Sequence, residues 1–331
     1  MFRKPLGAAI LALGLAAAAL RGESPQASFS VSVNLIKVPF SVFNDRSELV
    51  QDLGREDFRL YEDGKPQQIR SFGVDYNPVS VVLVIDTSGS VKKEIDELRD
   101  AAHNFAVALS PEDRISIITF ADETVLSLDW TSDKRRVRKS LHKLEPGLRT
   151  ALYDAMYMAA AEQLRGIEGR KAIILLTDGL NNQSTLGFRE ASLSVVQSQA
   201  SLYVISKTVM AREAVRKERR VRMLAEIYRH FGGEEDYVDE FFRRREEEMT
   251  ELADKTGGRA FFPTDYAEIR GVYAEVAREL KSKYFLTYIS QPGKTPNSYH
   301  QIVLEYLPPG KKLTYRRGYY FDPAPIHKRR Y

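Results

Sequence analysis

The residues best suited to chemistry lie in one short turn, Asp86-Thr87-Ser88-Gly89-Ser90. The turn places one carboxylate and two hydroxyls at alternate positions, and Gly89 lets it fold tightly. Carboxylate and hydroxyl oxygens are hard ligands of the kind that a small divalent cation such as Mg²⁺ takes, with positions left for water or an incoming group. The turn therefore indicates a cation site.

Two further segments are expected to meet this turn. The turn lies between an apolar run, Val81–Ile85, typical of a strand buried on both faces, and a predicted helix, Val91–Leu109. Thr150 opens another helical stretch, and Asp178 directly follows a second apolar run. Because ligands of open parallel sheets bind outside the carboxyl ends of the strands, both aspartates should converge on one crevice.

The order and spacing of these segments resemble the metal-ion-dependent adhesion site of von Willebrand factor A (VWA) domains. D-x-S-x-S is followed by a threonine about 60 residues on and by T-D-G about 28 residues further. The resemblance covers residues 79–283 and implies one Mg²⁺ or Mn²⁺ ion. It implies that Ser88 and Ser90 ligate the ion directly. Asp86 and Asp178 would bind it directly or through water, and Thr150 would join when the loops rearrange.

The same resemblance implies a function. The last ligand position would go to an Asp or Glu carboxylate of a partner protein, so the chain is expected to be a non-enzymatic, adhesion-type binding module. The rest of the chain is similar to secreted, acidobacterial-type VWFA-related proteins. It shares with them the Glu62–Pro66 turn, the Thr256–Phe262 segment and the closing residues Arg317–Tyr320.

Other interpretations of these residues stay open at this point. Asp86 and Thr150 are also suited to capping the helices that follow them. A structural envelope protein that interacts through a β-sandwich is the main alternative function. A metal-dependent hydrolase is less favoured, because the chain has no G-x-S-x-G, P-loop or H-E-x-x-H motif and its five histidines are scattered. Aspartyl phosphatases carry a second acid two residues after the first, where this chain has Ser88.

The pattern of strands and helices predicts an α/β fold class. From Ser80 onward, apolar strands alternate with amphipathic helices, which predicts a doubly wound, mostly parallel sheet with helices on both faces. The short strands before and after this region are predicted to pair into a small β-sandwich, built from N- and C-terminal strands. The predicted parts are 1–22 (signal peptide), 28–77 (N-terminal part of the sandwich), 79–283 (VWA domain) and 284–322 (C-terminal part of the sandwich).

One segment interrupts the alternation. Residues 207–248 are dense in charge, mostly basic at first and mostly acidic later, and a charged helical insertion is predicted at about 208–240. Two interpretations stay open: a solvated helical hairpin packed on the domain, or a partner-binding lid beside the metal crevice.

Composition and charge bound the location and the partners. Arg3 and Lys4 precede an apolar run, Leu6–Leu20, which indicates a secretory signal peptide and a secreted or periplasmic protein. An uncleaved anchor is the alternative. The chain carries a net charge of +4, but residues 1–22 hold three basic residues and no acidic residue, so the remainder carries about +1 and nucleic acid is not an expected partner.

There is no cysteine, which excludes disulfides and thiolate metal sites. No membrane span is expected after cleavage.

Overall fold

The computed structural model describes residues 34–89, 92–217, 234–291 and 293–324. Several predictions from the sequence fall outside these residues. They are the signal peptide at 1–22, the first residues of the sandwich at 28–33, the middle of the charged insertion at 218–233, and the candidate ligand Ser90.

A six-stranded sheet forms the centre of the α/β domain, in the order β10-β9-β8-β5-β6-β7. The strands are β5 (Val79–Asp86), β6 (Arg114–Phe120), β7 (Thr124–Thr131), β8 (Arg170–Thr177), β9 (Ser201–Ser206) and β10 (Arg259–Phe261). All pairs are parallel except β6 with β7, which are antiparallel, and β7 is an edge strand. Every residue of β5 is buried, as its continuous apolar sequence requires.

Helices cover both faces of this sheet. They are α1 (Lys92–Ala108), α2 (Lys134–Leu141), α3 (Leu152–Tyr157), α4 (Phe188–Ser198), α5 (Thr208–Lys217), α6 (Glu234–Lys255) and α7 (Tyr266–Lys281). Alternate residues of β5 divide the core: Leu83 packs with apolar residues of α1, α2 and α7, whereas Val84 packs with those of α3, α4 and α6. This two-sided core confirms the predicted doubly wound fold.

The helix predicted over residues 150–164 is irregular. Its regular part, α3, is short, and the chain continues as a π-helical segment, Met158–Gln163. A pattern of apolar residues does not distinguish these two hydrogen-bonding schemes, which is why the sequence predicted one uniform helix.

The terminal strands form a sandwich of two four-stranded sheets, ordered β13-β1-β11-β4 and β14-β12-β2-β3. The strands are β1 (Asn34–Phe43), β2 (Phe58–Glu62), β3 (Lys65–Gln67), β4 (Ser71–Val74), β11 (Tyr284–Ser290), β12 (Ser298–Tyr306), β13 (Lys312–Tyr315) and β14 (Gly318–Phe321). Phe40 of β1, Leu60 of β2, Leu286 of β11 and Leu304 of β12 meet in one buried core. The predicted pairing of N- and C-terminal strands is therefore confirmed.

One predicted strand is wrong. The sequence predicts a single strand over residues 313–321, but β13 and β14 belong to different sheets. The break falls at Arg316, whose backbone bridges to Thr256 of the α/β domain, and the Arg317 N–H donates to the Lys255 carbonyl at 3.0 Å. Contact with the α/β domain thus ends one strand and starts the next.

A membrane-spanning helix is not found in the part of the chain that the structure describes: no helix there is both long enough and apolar enough.

Candidate metal centre

The candidate site lies where the order of the strands in the sheet reverses. After β5 the chain adds β6 and β7 on one side of β5, and after α3 it adds β8, β9 and β10 on the other side. Asp86 ends β5, and Asp178 follows the last residue of β8. The crevice outside the carboxyl ends of two such strands is where doubly wound folds bind ligands.

The Asp86 carboxylate organises the turn that follows it. Its Oδ1 accepts from the Ser88 N–H at 2.9 Å and from the Ser88 hydroxyl at 2.5 Å. Its Oδ2 accepts from the Thr177 hydroxyl at 3.2 Å and from the Asp178 N–H at 3.4 Å. Gly89 has φ of +59°, a conformation that favours glycine. The carboxylate therefore joins the ends of β5 and β8.

A third segment reaches the site through Thr150. Its hydroxyl donates to the Ser88 hydroxyl at 2.9 Å, and its N–H donates to the Asn182 side chain at 2.8 Å. Ala151, rather than Thr150, is the N-cap residue of α3, and Ser184 accepts from the first N–H groups of that helix. The capping role left open for Thr150 is therefore filled by another side chain.

The preceding loop is held close to the turn by backbone contacts. The Gly89 N–H donates to the Gly147 carbonyl at 2.9 Å, and the Gly147 N–H donates to the Thr87 carbonyl at 3.1 Å. A Cβ at position 147 would lie 2.3 Å from the Ala121 Cβ, so only glycine fits there. Leu148, at the tip of this loop, is 89% exposed beside the site.

Burial and mutual repulsion disfavour two ionised carboxylates in this site without a counter-ion. Asp86 is fully buried, and Ser88 and Thr150 are buried as well. Burial and the neighbouring Asp86 charge raise the pKa of Asp178 to about 6, although the Lys207 ammonium opposes this shift. A cation between the carboxylates would favour the ionised form of both. The donors present, two carboxylates with adjacent hydroxyls, fit a hard divalent cation.

The structure brings together four of the five predicted ligands. Asp86, Ser88, Thr150 and the backbone of Asp178 are joined by hydrogen bonds, while Ser90 lies outside the described residues. No cluster of three or more His, Cys, Asp or Glu side chains suited to a metal occurs in the described part of the chain. Metal binding, its ligands and the identity of the ion all stay predictions.

Sequence reasoning missed two residues of the site. Lys207 directly follows β9 and is buried at the same edge of the sheet, and Asn182 orients the Thr150 backbone. The position of Lys207 was available from the sequence, since it follows a buried strand just as Asp86 and Asp178 do. Asn182 had no such signal, because its contact depends on how the loop after β8 folds.

The ends of the charged insertion border the site. The Thr208 hydroxyl at the start of α5 donates to Glu246 of α6 at 2.8 Å, and Arg212 of α5 also pairs with Glu246. A Cβ at Gly179, next to Asp178, would lie 3.4 Å from the Arg245 Cβ of α6. The described ends thus pack as a helical pair beside the crevice.

Comparison with known proteins finds a family match within the α/β domain. Residues 81–181, which include four of the strands and three of the predicted ligand segments, match the model of the von Willebrand factor type A domain. VWA domains generally mediate protein interactions.

Solved structures provide more distant likenesses. A von Willebrand factor type A protein from Catenulispora acidiphila is 12% identical, with a TM-score of 0.45 and coverage of 89% of this chain and 76% of that one. An aerotolerance-related membrane protein from Bacteroides fragilis is 18% identical, with a TM-score of 0.42 and coverage of 61% and 99%. The vWF domain of the pili tip protein Mfa5 from Porphyromonas gingivalis is 23% identical, with a TM-score of 0.31 and coverage of 34% and 43%.

The chain spans less than half of that pili tip structure, and TM-scores below 0.5 do not support a transfer of function. The family match over residues 81–181 and the observed sheet agree with each other. Residues 81–181 therefore match the von Willebrand factor type A domain, and the mostly parallel sheet with helices on both faces is the fold expected of that domain.

Proposed function

We propose that the chain is a non-enzymatic, divalent-metal-dependent protein-binding module of the adhesion type, acting outside the cytoplasm. The observation that carries the proposal is the hydrogen-bonded chain from Asp86 through Ser88 to Thr150, which joins two segments distant in sequence at the end of β5. The proposed ligands of Mg²⁺ or Mn²⁺ are Asp86, Ser88, Ser90, Thr150 and Asp178.

The donor set supports binding of a partner carboxylate. Two carboxylates and three neutral hydroxyls hold a divalent ion without an excess of negative charge, so the bound ion would retain attraction for one more anionic oxygen. An Asp or Glu side chain of a partner would complete the shell through a charge-assisted contact. Leu148, exposed next to Thr150, provides apolar surface for the residues around that carboxylate.

Location outside the cytoplasm is supported by the sequence. The basic and then apolar residues at 1–22 predict secretion, and the remaining chain carries almost no net charge. The interaction surface would therefore face other envelope or extracellular proteins.

Calorimetric titration of the full chain with Mg²⁺ and Mn²⁺ tests the proposal. We expect one ion to bind the wild type, and we expect weaker binding by Thr150→Ala, which removes a single hydroxyl from the site. Thr119→Ala is a matched control, because the Thr119 hydroxyl bonds Ser127 instead, at 2.7 Å. Asp86→Ala should abolish binding, with its fold checked by circular dichroism.

The titration is repeated with an acidic peptide if the ion alone gives no heat, because the partner's carboxylate contributes one ligand. No binding under either condition would refute the metal-dependent proposal. A partner captured equally well by wild type and Asp86→Ala, with and without chelator, would instead favour an interface on the sandwich.

A further inference from the structure

A cavity of about 460 Å³ lies at the junction of the α/β domain and the sandwich. Its walls include Val79 and Arg170, which begin β5 and β8, and Ile36 of β1. The candidate metal centre is at the other end of the same strands. Since β5 has eight residues, the two sites are about 25 Å apart along the strand.

The cavity is rich in positive charge. Five of its lining residues are cationic: Lys37, Arg170, Lys171, Lys283 and Arg316. Two lining residues are acidic, Asp75 and Glu168. Asp75 is already paired, with Lys37 at 2.5 Å and Arg170 at 3.9 Å, and Lys283 is paired with Glu279 at 3.5 Å. Glu168 is exposed at the rim.

Two of these cations have no anionic partner among the residues that the structure describes. Arg316 is 7% exposed, and within those residues its guanidinium donates to two neutral oxygens, of the Gln199 side chain and the Lys37 backbone carbonyl, while its Nε makes no hydrogen bond there. Within the described parts of the chain, no carboxylate oxygen lies within 4 Å of Arg316 or Lys171. Burial lowers the pKa of Arg316 to about 10. Burial and repulsion by Arg316 lower the pKa of Lys171.

The unpaired charges carry a free-energy cost that an anion would offset. A buried charge is normally paired, because its transfer from water is unfavourable without a counter-charge. Arg316, which is buried, and the neighbouring Lys171, which is half-buried, both lack a counter-charge among the described residues, and this suggests a ligand that supplies it. A planar guanidinium beside an ammonium suits a carboxylate or a phosphate.

Much of the remaining lining is apolar. Ile36, Pro39, Ile167, Leu280 and Tyr284 form walls of the cavity. Its volume is within the range of small-molecule sites, which combine apolar walls with a few polar groups that orient the ligand. We propose that this cavity binds a small organic anion, with its carboxylate or phosphate head between Lys171 and Arg316 and its apolar body against these walls.

Calorimetry of the full chain with octanoate and octyl phosphate tests this site, and the two probes distinguish the two head groups. We expect at least one of them to bind, and we expect octanol, which has the same apolar body without the charge, not to bind. Because the cavity is remote from the metal centre, chelator should leave the binding unchanged. Failure of metal binding would therefore not affect this result.

Lys171→Gln provides the sharpest variant, since Lys171 lines the cavity and, among the described residues, its side chain makes no hydrogen bond that the substitution would break. Removal of one charge-assisted contact should weaken binding about tenfold. Lys139→Gln, at an exposed position of α2, is the matched control and should bind as the wild type does. Absence of binding by both probes, equal binding of octanol, or an unchanged affinity in Lys171→Gln would each overturn the proposal.

Discussion

Replacing Glu279 with glutamine should destabilise the protein by about 3 kcal/mol at neutral pH. Glu279 is 1% exposed on α7 and accepts from the Ser41 hydroxyl of β1 at 3.3 Å and from the Tyr203 hydroxyl of β9 at 2.8 Å. Two cations also pair with it: the Lys283 ammonium, 3.5 Å away and buried, and the Arg259 guanidinium at 3.7 Å. The carboxylate thus joins both domains and neutralises a buried cation.

The magnitude follows from what glutamine keeps and what it removes. Its amide oxygen can still accept from both hydroxyls, so the loss is mainly the negative charge opposite Lys283, since Arg259 keeps its ion pair with Glu275 at 2.5 Å. Breaking a buried ion pair typically costs about 3 to 5 kcal/mol. We expect the lower end, because Lys283 still donates to the Gly257 carbonyl at 2.7 Å and to the Ser201 hydroxyl at 3.3 Å.

Urea unfolding followed by circular dichroism measures this effect. Glu251→Gln is the matched control, because Glu251 is 69% exposed in an ion pair with Lys255, and its loss should cost no more than about 0.5 kcal/mol. The double variant Glu279→Gln with Lys283→Met should cost less than the sum of the two single changes, because it removes Lys283 together with its counter-charge while Arg259 stays paired with Glu275. Equal effects of Glu279→Gln and Glu251→Gln, or full additivity in the double variant, would refute the reasoning.

Two further predictions concern backbone conformation and pH. Gly257→Ala should destabilise the protein by more than about 2 kcal/mol, because Gly257 has φ of +73° and a Cβ there would lie 2.5 Å from the Arg316 backbone nitrogen. Gly271→Ala, where a Cβ on α7 would meet open space, should instead stabilise the protein by about 0.5 to 1 kcal/mol, and thermal unfolding of the two variants compares them. Burial of Glu62 opposes its ionisation, but hydrogen bonds from three hydroxyl groups and the charge of Lys294 outweigh it and lower its pKa below the ordinary 4.5. Between these two pKa values the unfolded state binds more protons than the folded state, so the stabilisation from ionised Glu62 is complete above pH 4.5 and is lost as the pH falls through the lowered pKa. The difference in unfolding free energy between wild type and Glu62→Gln should therefore shrink in acid. A difference that stays constant with pH would contradict the lowered pKa of Glu62.

Local sequence determined much of the fold. The apolar run of β5 predicted a strand buried on both faces, because only a sheet covered by two helical layers needs such a run. The same logic placed Asp86 and Asp178 at one edge of the sheet, since parallel neighbours end together.

Features that depend on distant contacts were not predictable. The break at Arg316 follows from the approach of Gly257, some 60 residues earlier in the chain, and nothing in the residues around Arg316 indicates it. The cavity beside Lys171 likewise exists only where two domains meet. Such features arise from packing between segments, and a pattern read along one segment carries no information about them.

The way in which the α/β domain is inserted has a mechanical consequence. The chain leaves the sandwich after Val74 and returns at Tyr284, and these two residues are paired on adjacent strands, with the Asp75 N–H donating to the Lys283 carbonyl at 2.9 Å. Tension applied between positions in β1 and β14 therefore passes through β13, which is hydrogen-bonded to β1 and precedes β14 in the chain, and bypasses the inserted domain. The edge of the inserted sheet that carries the proposed binding site is thus expected to keep its geometry while the sandwich is under load.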